Sequence, residues 1–422
     1  MKNIHRILSV LLGVVLLFGI SACGGGGDSH SGDSQSEFEY YPMKTNIKTD
    51  GQFYQKDGIM FPASLWSVPE AERYDALDHG NVKGYFIDSL NNTKVFCYVG
   101  LPENASEENK VPAVVLVHGA TGTAFYDWVE MWNNRGYAAI AMDTEGQMPT
   151  SSCTTMNPQV QASVREHGVK NTAFYDSASS VEEQWTYQAL AAVFASTSFI
   201  GSFAEVDETK IGITGVSYGA YLTCLATAYD DRYLFAAPVY GCLANASSTF
   251  EFGSYYQNGN GSAVTLWDDE TILQDNRTPF LFVSGLPDIA FGPDAVTRTA
   301  KQCKYAQTIF IPGLTHGHFQ GAYIEEIVTF ATEIFKNEGG LIRVTGDAAK
   351  EILTLTIPEN VQIARVEMYY TLEETISPTT VWIEGNAELV DNIVLCSVDS
   401  SIKHSYIRIL DSRGLYACSY VS

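Results

Sequence analysis

Residues 210–220 place the tightest constraint on how this chain can fold. They read Lys210-Ile211-Gly212-Ile213-Thr214-Gly215-Val216-Ser217-Tyr218-Gly219-Ala220. A Gly-x-Ser-x-Gly that ends a strand and opens a helix is a nucleophile elbow. The turn is so tight that Ser217 is forced into strained φ/ψ, and a Cβ at Gly215 or Gly219 would collide across it. Such an elbow lifts the Ser217 hydroxyl to the carboxyl edge of a sheet. It also points the N-terminus of the new helix at developing negative charge.

The surrounding sequence supplies the sheet. From about residue 82 strand-like and helix-like segments alternate, the signature of a sheet covered by helices on both faces. The expected strands are Val82–Ser89, Lys94–Leu101, Ala113–Val117, Tyr137–Met142, Lys210–Thr214, Phe235–Tyr240, Phe280–Val283 and Thr308–Ile311. The later ones are unbroken apolar or β-branched runs, as parallel strands buried on both faces should be. The expected helices are Phe125–Asn134, Val181–Ser196, Ala220–Tyr229, Asp294–Cys303 and Ala322–Phe335, the last stopped by Gly339-Gly340. After Gly340 the period changes to two, in about seven short runs from Leu341–Val344 to Leu415–Tyr420 that suggest a small β-sandwich. The fold class expected is therefore α/β, a central, mostly parallel sheet flanked by helices across residues 82–339, with a C-terminal β-sandwich-like domain at 340–422. Residues 38–81 read as an N-terminal extension wrapping the core.

A serine nucleophile needs a base, and the base needs an orienting acid. Asp288 follows the apolar run Phe280–Val283 through Ser284-Gly285-Leu286-Pro287, a loop at a strand's carboxyl end. Asp294 is the second candidate, better suited to capping the next helix. His316 follows Thr308–Ile311 through Pro312-Gly313-Leu314-Thr315 and fits the general base, with His318 as its competitor. The His-x-His pair lacks nearby carboxylates or cysteines at ligand spacing, and no metal or other cofactor is expected. Oxyanion donors are sought in Val117-His118-Gly119-Ala120-Thr121-Gly122-Thr123, directly after a buried strand. The amide of Tyr218, one past the nucleophile, is one donor and that of Ala120 the second, with Thr121 the alternative. His118 reads as a structural residue rather than a reacting one.

These residues carry a family resemblance. His118–Gly146 (HGATGTAFYDWVEMWNNRGYAAIAMDTEG), Lys210–Cys242 and Pro279–Phe291 (PFLFVSGLPDIAF) resemble the dienelactone-hydrolase and acetylxylan-esterase-like branch of the α/β-hydrolase superfamily. The resemblance spans roughly Val82–Asn337. It implies a serine hydrolase of carboxylic esters, acting on an acetylated or otherwise esterified carbohydrate of small-molecule or oligosaccharide size. Many relatives carry Trp after the nucleophile and a Gly-richer oxyanion loop, where this chain has Tyr218 and Ala120-Thr121. A prolyl-oligopeptidase-type peptidase would use the same triad, but fewer than 100 residues precede the core, too few for the propeller such enzymes usually carry. A non-catalytic glycan-binding protein on a hydrolase scaffold is the other alternative, and an intact Ser/Asp/His set argues against it. The stretch Leu243–Arg277, with Phe250, Phe252, Tyr255, Tyr256 and Trp267, interrupts the α/β rhythm and is a candidate for shaping the pocket mouth.

The N-terminus reads as an export signal. Lys2, His5 and Arg6 precede an apolar run of 14 residues, Ile7–Ile20, too short to span a bilayer comfortably. Ile20-Ser21-Ala22-Cys23 resembles a bacterial lipobox, so residues 1–22 are expected to be a signal peptide and Cys23 the lipidated N-terminus. Residues 23–37 then form a flexible tether from a membrane anchor. Of the seven other cysteines, Cys396 and Cys418 are the candidate pair. The formal charge of −24 leaves no basic surface for nucleic acid.

Overall fold

In the computed structural model the described residues are 53–56, 58–150, 155–156, 164–166, 176, 178–242, 266–274, 276–350 and 352–422. The expected signal peptide, Cys23, the tether, Cys153 and most of the aromatic stretch 243–277 lie outside them.

A hairpin of β1 (Phe53–Lys56) and β2 (Ile59–Pro62) precedes an antiparallel meander of β3 (Ala71–Arg73), β4 (Lys83–Asp88) and β5 (Lys94–Gly100). Next come β6 (Val111–Val117), α1 (Tyr126–Asn133), β7 (Ala138–Met142) and a second hairpin, β8 (Gln147–Pro149) with β9 (Val164–Glu166). The chain continues through α2 (Trp185–Gly201), β10 (Val206–Val216), α3 (Tyr218–Tyr229), β11 (Tyr233–Val239), α4 (Asp269–Ile272) and β12 (Phe280–Gly285). Then follow α5 (Pro293–Gln302), β13 (Ala306–Ile311), α6 (His318–Ala322) and α7 (Glu325–Lys336). The last part holds β14 (Arg343–Asp347), β15 (Ile352–Thr356), β16 (Ile363–Thr371), β17 (Ile383–Gly385), β18 (Ala387–Val390), β19 (Ile393–Cys396), β20 (His404–Asp411) and β21 (Tyr416–Cys418).

One sheet runs β17-β16-β20-β21-β13-β12-β11-β10-β6-β7-β5-β4-β3. Its centre, from β13 to β7, is parallel, and both flanks are antiparallel. The central strands are apolar on both faces because both are covered: Val114, Val115, Leu116 and Val117 have no exposed surface. One face packs against α2, α3 and α5, the other against α1 and α7. The crossover helices leave every parallel strand's carboxyl end on one edge, where an open α/β sheet keeps its site.

Every residue of α2 from Trp185 to Ile200 is buried, so this helix has no polar stripe. Its outer side is covered by the segment after β1. Phe61 stacks on Tyr187 with centroids 4.3 Å apart, and Ser198 Oγ donates to the Leu65 carbonyl at 2.6 Å.

The expected helix Ala322–Phe335 is two helices. Gly321 of α6 lies against the Tyr240 hydroxyl, where a Cβ would come within 2.4 Å, so α6 is pinned to the sheet edge. The chain then extends at Ile324 (φ −116°, ψ 112°), and α7 starts afresh to lay Ile327, Phe330, Ala331 and Phe335 on the core. It ends at Lys336, one residue past the expected Phe335, with Asn337 in the left-handed region (φ 55°) as its cap. Asp294 is not a helix cap either, since Gly292 holds that position with Pro293 in the first turn.

The C-terminal strands form two layers about their own core, which includes Leu353, Leu355, Met368, Val394, Ile407 and Ile409. One layer is the sheet β14-β15-β19-β18; the other is β17-β16-β20-β21, joined to the edge of the central parallel strands where Thr308 of β13 pairs with Cys418 of β21. The junction is polar as well as apolar: Glu326 Oε1 accepts the Tyr416 amide at 3.0 Å, and Arg413 donates to the Gly340 carbonyl at 2.7 Å. Trp382 packs edge-on against Tyr406 with centroids 5.3 Å apart. The expected pairing of Cys396 with Cys418 does not occur, because both are free. Cys396 Sγ donates to the Ala348 carbonyl at 3.4 Å, and Cys418 Sγ accepts the Phe310 amide at 3.3 Å, in different layers.

Candidate active site

β10 delivers Ser217 to the sheet edge and α3 begins at the next residue. Ser217 has φ 59°, ψ −120°, a conformation that costs a non-glycine residue about 1–3 kcal/mol. The turn explains its glycines. A Cβ on Gly215 would sit 2.2 Å from the Gly219 carbonyl oxygen, and one on Gly219 2.0 Å from that of Val117. The elbow is therefore wedged against the end of β6 as well as against itself.

The acid and histidine loops meet the elbow from β12 and β13, the second and third strands beyond β10. Gly285, at the end of β12, lies so close to the Leu314 carbonyl that a Cβ would come within 1.9 Å, which brings the two loops into backbone contact. His316 Nε2 lies 2.8 Å from Ser217 Oγ, and His316 Nδ1 lies 2.7 Å from Asp288 Oδ2. Asp288 has no exposed surface, and its Oδ1 accepts the amides of Ala290 (2.7 Å) and Phe291 (2.8 Å). Both carboxylate oxygens are thus engaged, so this buried group leaves no polar atom unsatisfied. The carboxylate at Oδ2 fixes the proton on Nδ1 and leaves the Nε2 lone pair for the Ser217 hydroxyl. Ser217, His316 and Asp288 are brought together; Asp294 instead forms an ion pair with Arg298 along α5 at 3.4 Å.

His318 faces a different partner. Its Nε2 accepts the Gly119 amide at 3.0 Å, and its ring lies 5.3 Å from that of Phe125. Burial, with the neighbouring His118 and His316 adding to it, pushes its pKa down to about 4, so it stays neutral around pH 7.

The loop of residues 117–123 is braced on several sides. His118 Nδ1 lies 2.7 Å from the Gly119 carbonyl, and its Nε2 accepts the Thr144 amide at 3.0 Å and lies 3.6 Å from Asp143 Oδ1; burial disfavours the charged ring, but the Asp143 carboxylate raises its pKa above the usual value. His118 thereby has a structural part, as its sequence context implied. The Thr121 amide, in a left-handed residue (φ 62°), donates to Glu145 Oε1 at 2.9 Å. The Gly122 amide returns to the Gly119 carbonyl at 3.1 Å. The Gly119, Thr121 and Gly122 amides are occupied, whereas the Ala120 amide between them has no acceptor among the described residues. Tyr218 stands opposite at the first position of α3, its ring buried beside Trp185 with centroids 5.5 Å apart.

Three residues of the site were not singled out from the sequence. Tyr240, one past β11, exchanges hydrogen bonds with the backbone of Gly317, and its ring lies 4.6 Å from His316. Phe291 covers the imidazole from the acid loop at 6.0 Å. Glu145, three past β7, holds Thr121. A signal was present, since each follows the carboxyl end of a parallel strand or sits in a loop already marked.

Comparison with known proteins places this geometry in context. The family described as Acetyl xylan esterase (AXE1) matches residues 71–256, just under half of the chain. Among solved structures the chain is similar to an acetyl xylan esterase from Paenibacillus sp. R4, at 17% identity and a TM-score of 0.49, over 64% of this chain and 91% of that one. It is also similar to Est1E from Butyrivibrio proteoclasticus, at 19% identity and 0.40, over 60% and 96%. A puromycin-hydrolyzing peptidase of Mycobacterium tuberculosis matches at 21% and 0.45, over 67% and 41%.

Proposed function

We propose that this chain, an α/β-hydrolase of acetyl-xylan-esterase type and a serine carboxylic ester hydrolase, works through Ser217, His316 and Asp288 and removes acyl groups from esterified carbohydrate. The observation that carries the proposal is the unbroken run of hydrogen bonds from Ser217 Oγ through His316 to Asp288 Oδ2 at the sheet edge.

In this reading His316 Nε2 takes the Ser217 proton as Oγ attacks the ester carbonyl. Asp288 stabilises the imidazolium that forms. The negative oxygen of the tetrahedral intermediate is held by the amides of Ala120 and Tyr218, at the positive end of α3. His316 then gives its proton to the departing alcohol. Water hydrolyses the acyl-enzyme with His316 again as base, and Ser217 is regenerated.

The matched family supports an acetylated sugar as substrate. A panel tests it: acetylated xylo-oligosaccharides should release acetate with kcat/KM at least about tenfold above that for aminoacyl-proline anilides, a difference of about 1.4 kcal/mol in transition-state binding. Faster turnover of the anilides would contradict it in favour of an oligopeptide substrate.

We also propose that the mature protein is an exported lipoprotein, on the strength of the apolar run 7–20 and the lipobox-like 20–23. Two acyl chains on Cys23 would anchor it stably to a membrane without spanning it. A Cys23→Ala variant is expected in the soluble fraction after cell lysis, and its persistence in the membrane fraction would count against the anchor.

A further inference from the structure

The sequence left His318 as a rival base, yet its Nε2 holds a backbone amide of the oxyanion loop. The contact is close and shaped for this ring: a Cβ on Gly122 would stand 2.6 Å from His318 Nε2, and one on Gly119 3.2 Å from it. The two glycines on either side of Ala120 are therefore both fitted to the same imidazole nitrogen. The ring is wedged between that loop and Phe125, and its position at the start of α6 is fixed by the packing of Gly321 under Tyr240.

We propose that His318 is a positioning residue for the oxyanion hole: by accepting the Gly119 amide it turns the Ala120 amide toward the reacting carbonyl, and it exchanges no proton with substrate. The logic is one of hydrogen-bond accounting. Gly119 and Ala120 are consecutive, so the peptide plane between them fixes where the Ala120 amide points. The Gly119 carbonyl in that plane is held by His118 and by the Gly122 amide, and the preceding Gly119 amide by His318. Without the His318 acceptor the Gly119 amide, next to the nucleophile, is left to turn toward water or substrate, and the plane is no longer fixed from both ends. An imidazole can act so only while Nε2 is unprotonated. Its burial, with His118 and His316 facing it, lowers its pKa to about 4, so Nε2 is free to accept at neutral pH.

The inference rests on Ser217 being the nucleophile, and its test separates the two. His318→Gln keeps an acceptor oxygen, whereas His318→Leu keeps bulk and loses the acceptor. With p-nitrophenyl acetate, His318→Leu should lower kcat about 10²–10³-fold, the loss typical of one oxyanion donor, with KM changed less than about threefold. His318→Gln should recover kcat to within about tenfold of the parent. In both, the fall of kcat with decreasing pH should keep its midpoint, because His316 still supplies the base. A His318→Leu enzyme with parental kcat would overturn the proposal. So would a His318→Gln enzyme as inactive as the Leu variant or with that midpoint lost, the behaviour of a general base. If the Leu variant fails to fold, the Gln variant decides alone by the same criteria. Ser217→Ala activity within about tenfold of the parent would instead overturn the functional reading, whatever the His318 variants do.

Discussion

Ser217→Ala is expected to lower kcat for p-nitrophenyl acetate by about 10⁶-fold while leaving KM within a few-fold, as removal of a triad nucleophile does. The size follows from the site. The hydroxyl is the atom that His316 Nε2 faces at 2.8 Å, and no other described hydroxyl is bonded to that nitrogen. The backbone donors of the elbow and of Ala120 remain in place in the variant. The residual rate should therefore stay above that of water alone, by about 10³-fold. His316→Ala should cost about as much, and the double variant little more than either, because the two side chains act as one unit. Additive losses would mean that the two do not share a step.

Asp288→Asn is expected to lower kcat about 10⁴-fold without unfolding the protein. Asp288 Oδ1 receives two backbone amides, from Ala290 and Phe291. Asn must keep its carbonyl oxygen there, since its NH₂ would meet two donors. The NH₂ then faces His316 Nδ1, which must become an acceptor, and the imidazole proton moves to Nε2. The base that faced Ser217 is then a donor. A loss of less than about tenfold would show that the Asp288–His316 contact does not control the tautomer.

Much of this was legible in the sequence because parallel strands and elbows write themselves locally. The run Ala113–Val117 is apolar on both faces, and Gly215 and Gly219 are demanded by contacts of their own turn and its neighbour. The acid and base followed from chain order, each after a strand's carboxyl end. What the sequence hid depends on long-range packing. The break at Ile324 comes from Gly321 meeting Tyr240, about 80 residues earlier in the chain. The strand Ala387–Val390 was missed because three of its four residues are exposed and, among the described residues, it pairs only with β19. The C-terminal layers read as a separate module, yet one bridges to β13 through Thr308 and Cys418, a pairing no local pattern encodes. The same holds for the two histidines. His316 and His318 have equivalent local contexts, and only their partners, Ser217 and Gly119, tell them apart.

The central claim is a covalent acyl-enzyme on Ser217, and acid-quenched mass spectrometry tests it most directly. The parent protein, mixed rapidly with p-nitrophenyl acetate, should show a burst of p-nitrophenolate and an acetyl group on the peptide that contains Ser217. The Ser217→Ala variant should show neither. Steady turnover with Ser217 unmodified, or acetylation of a different residue at the kinetically competent rate, would contradict the account.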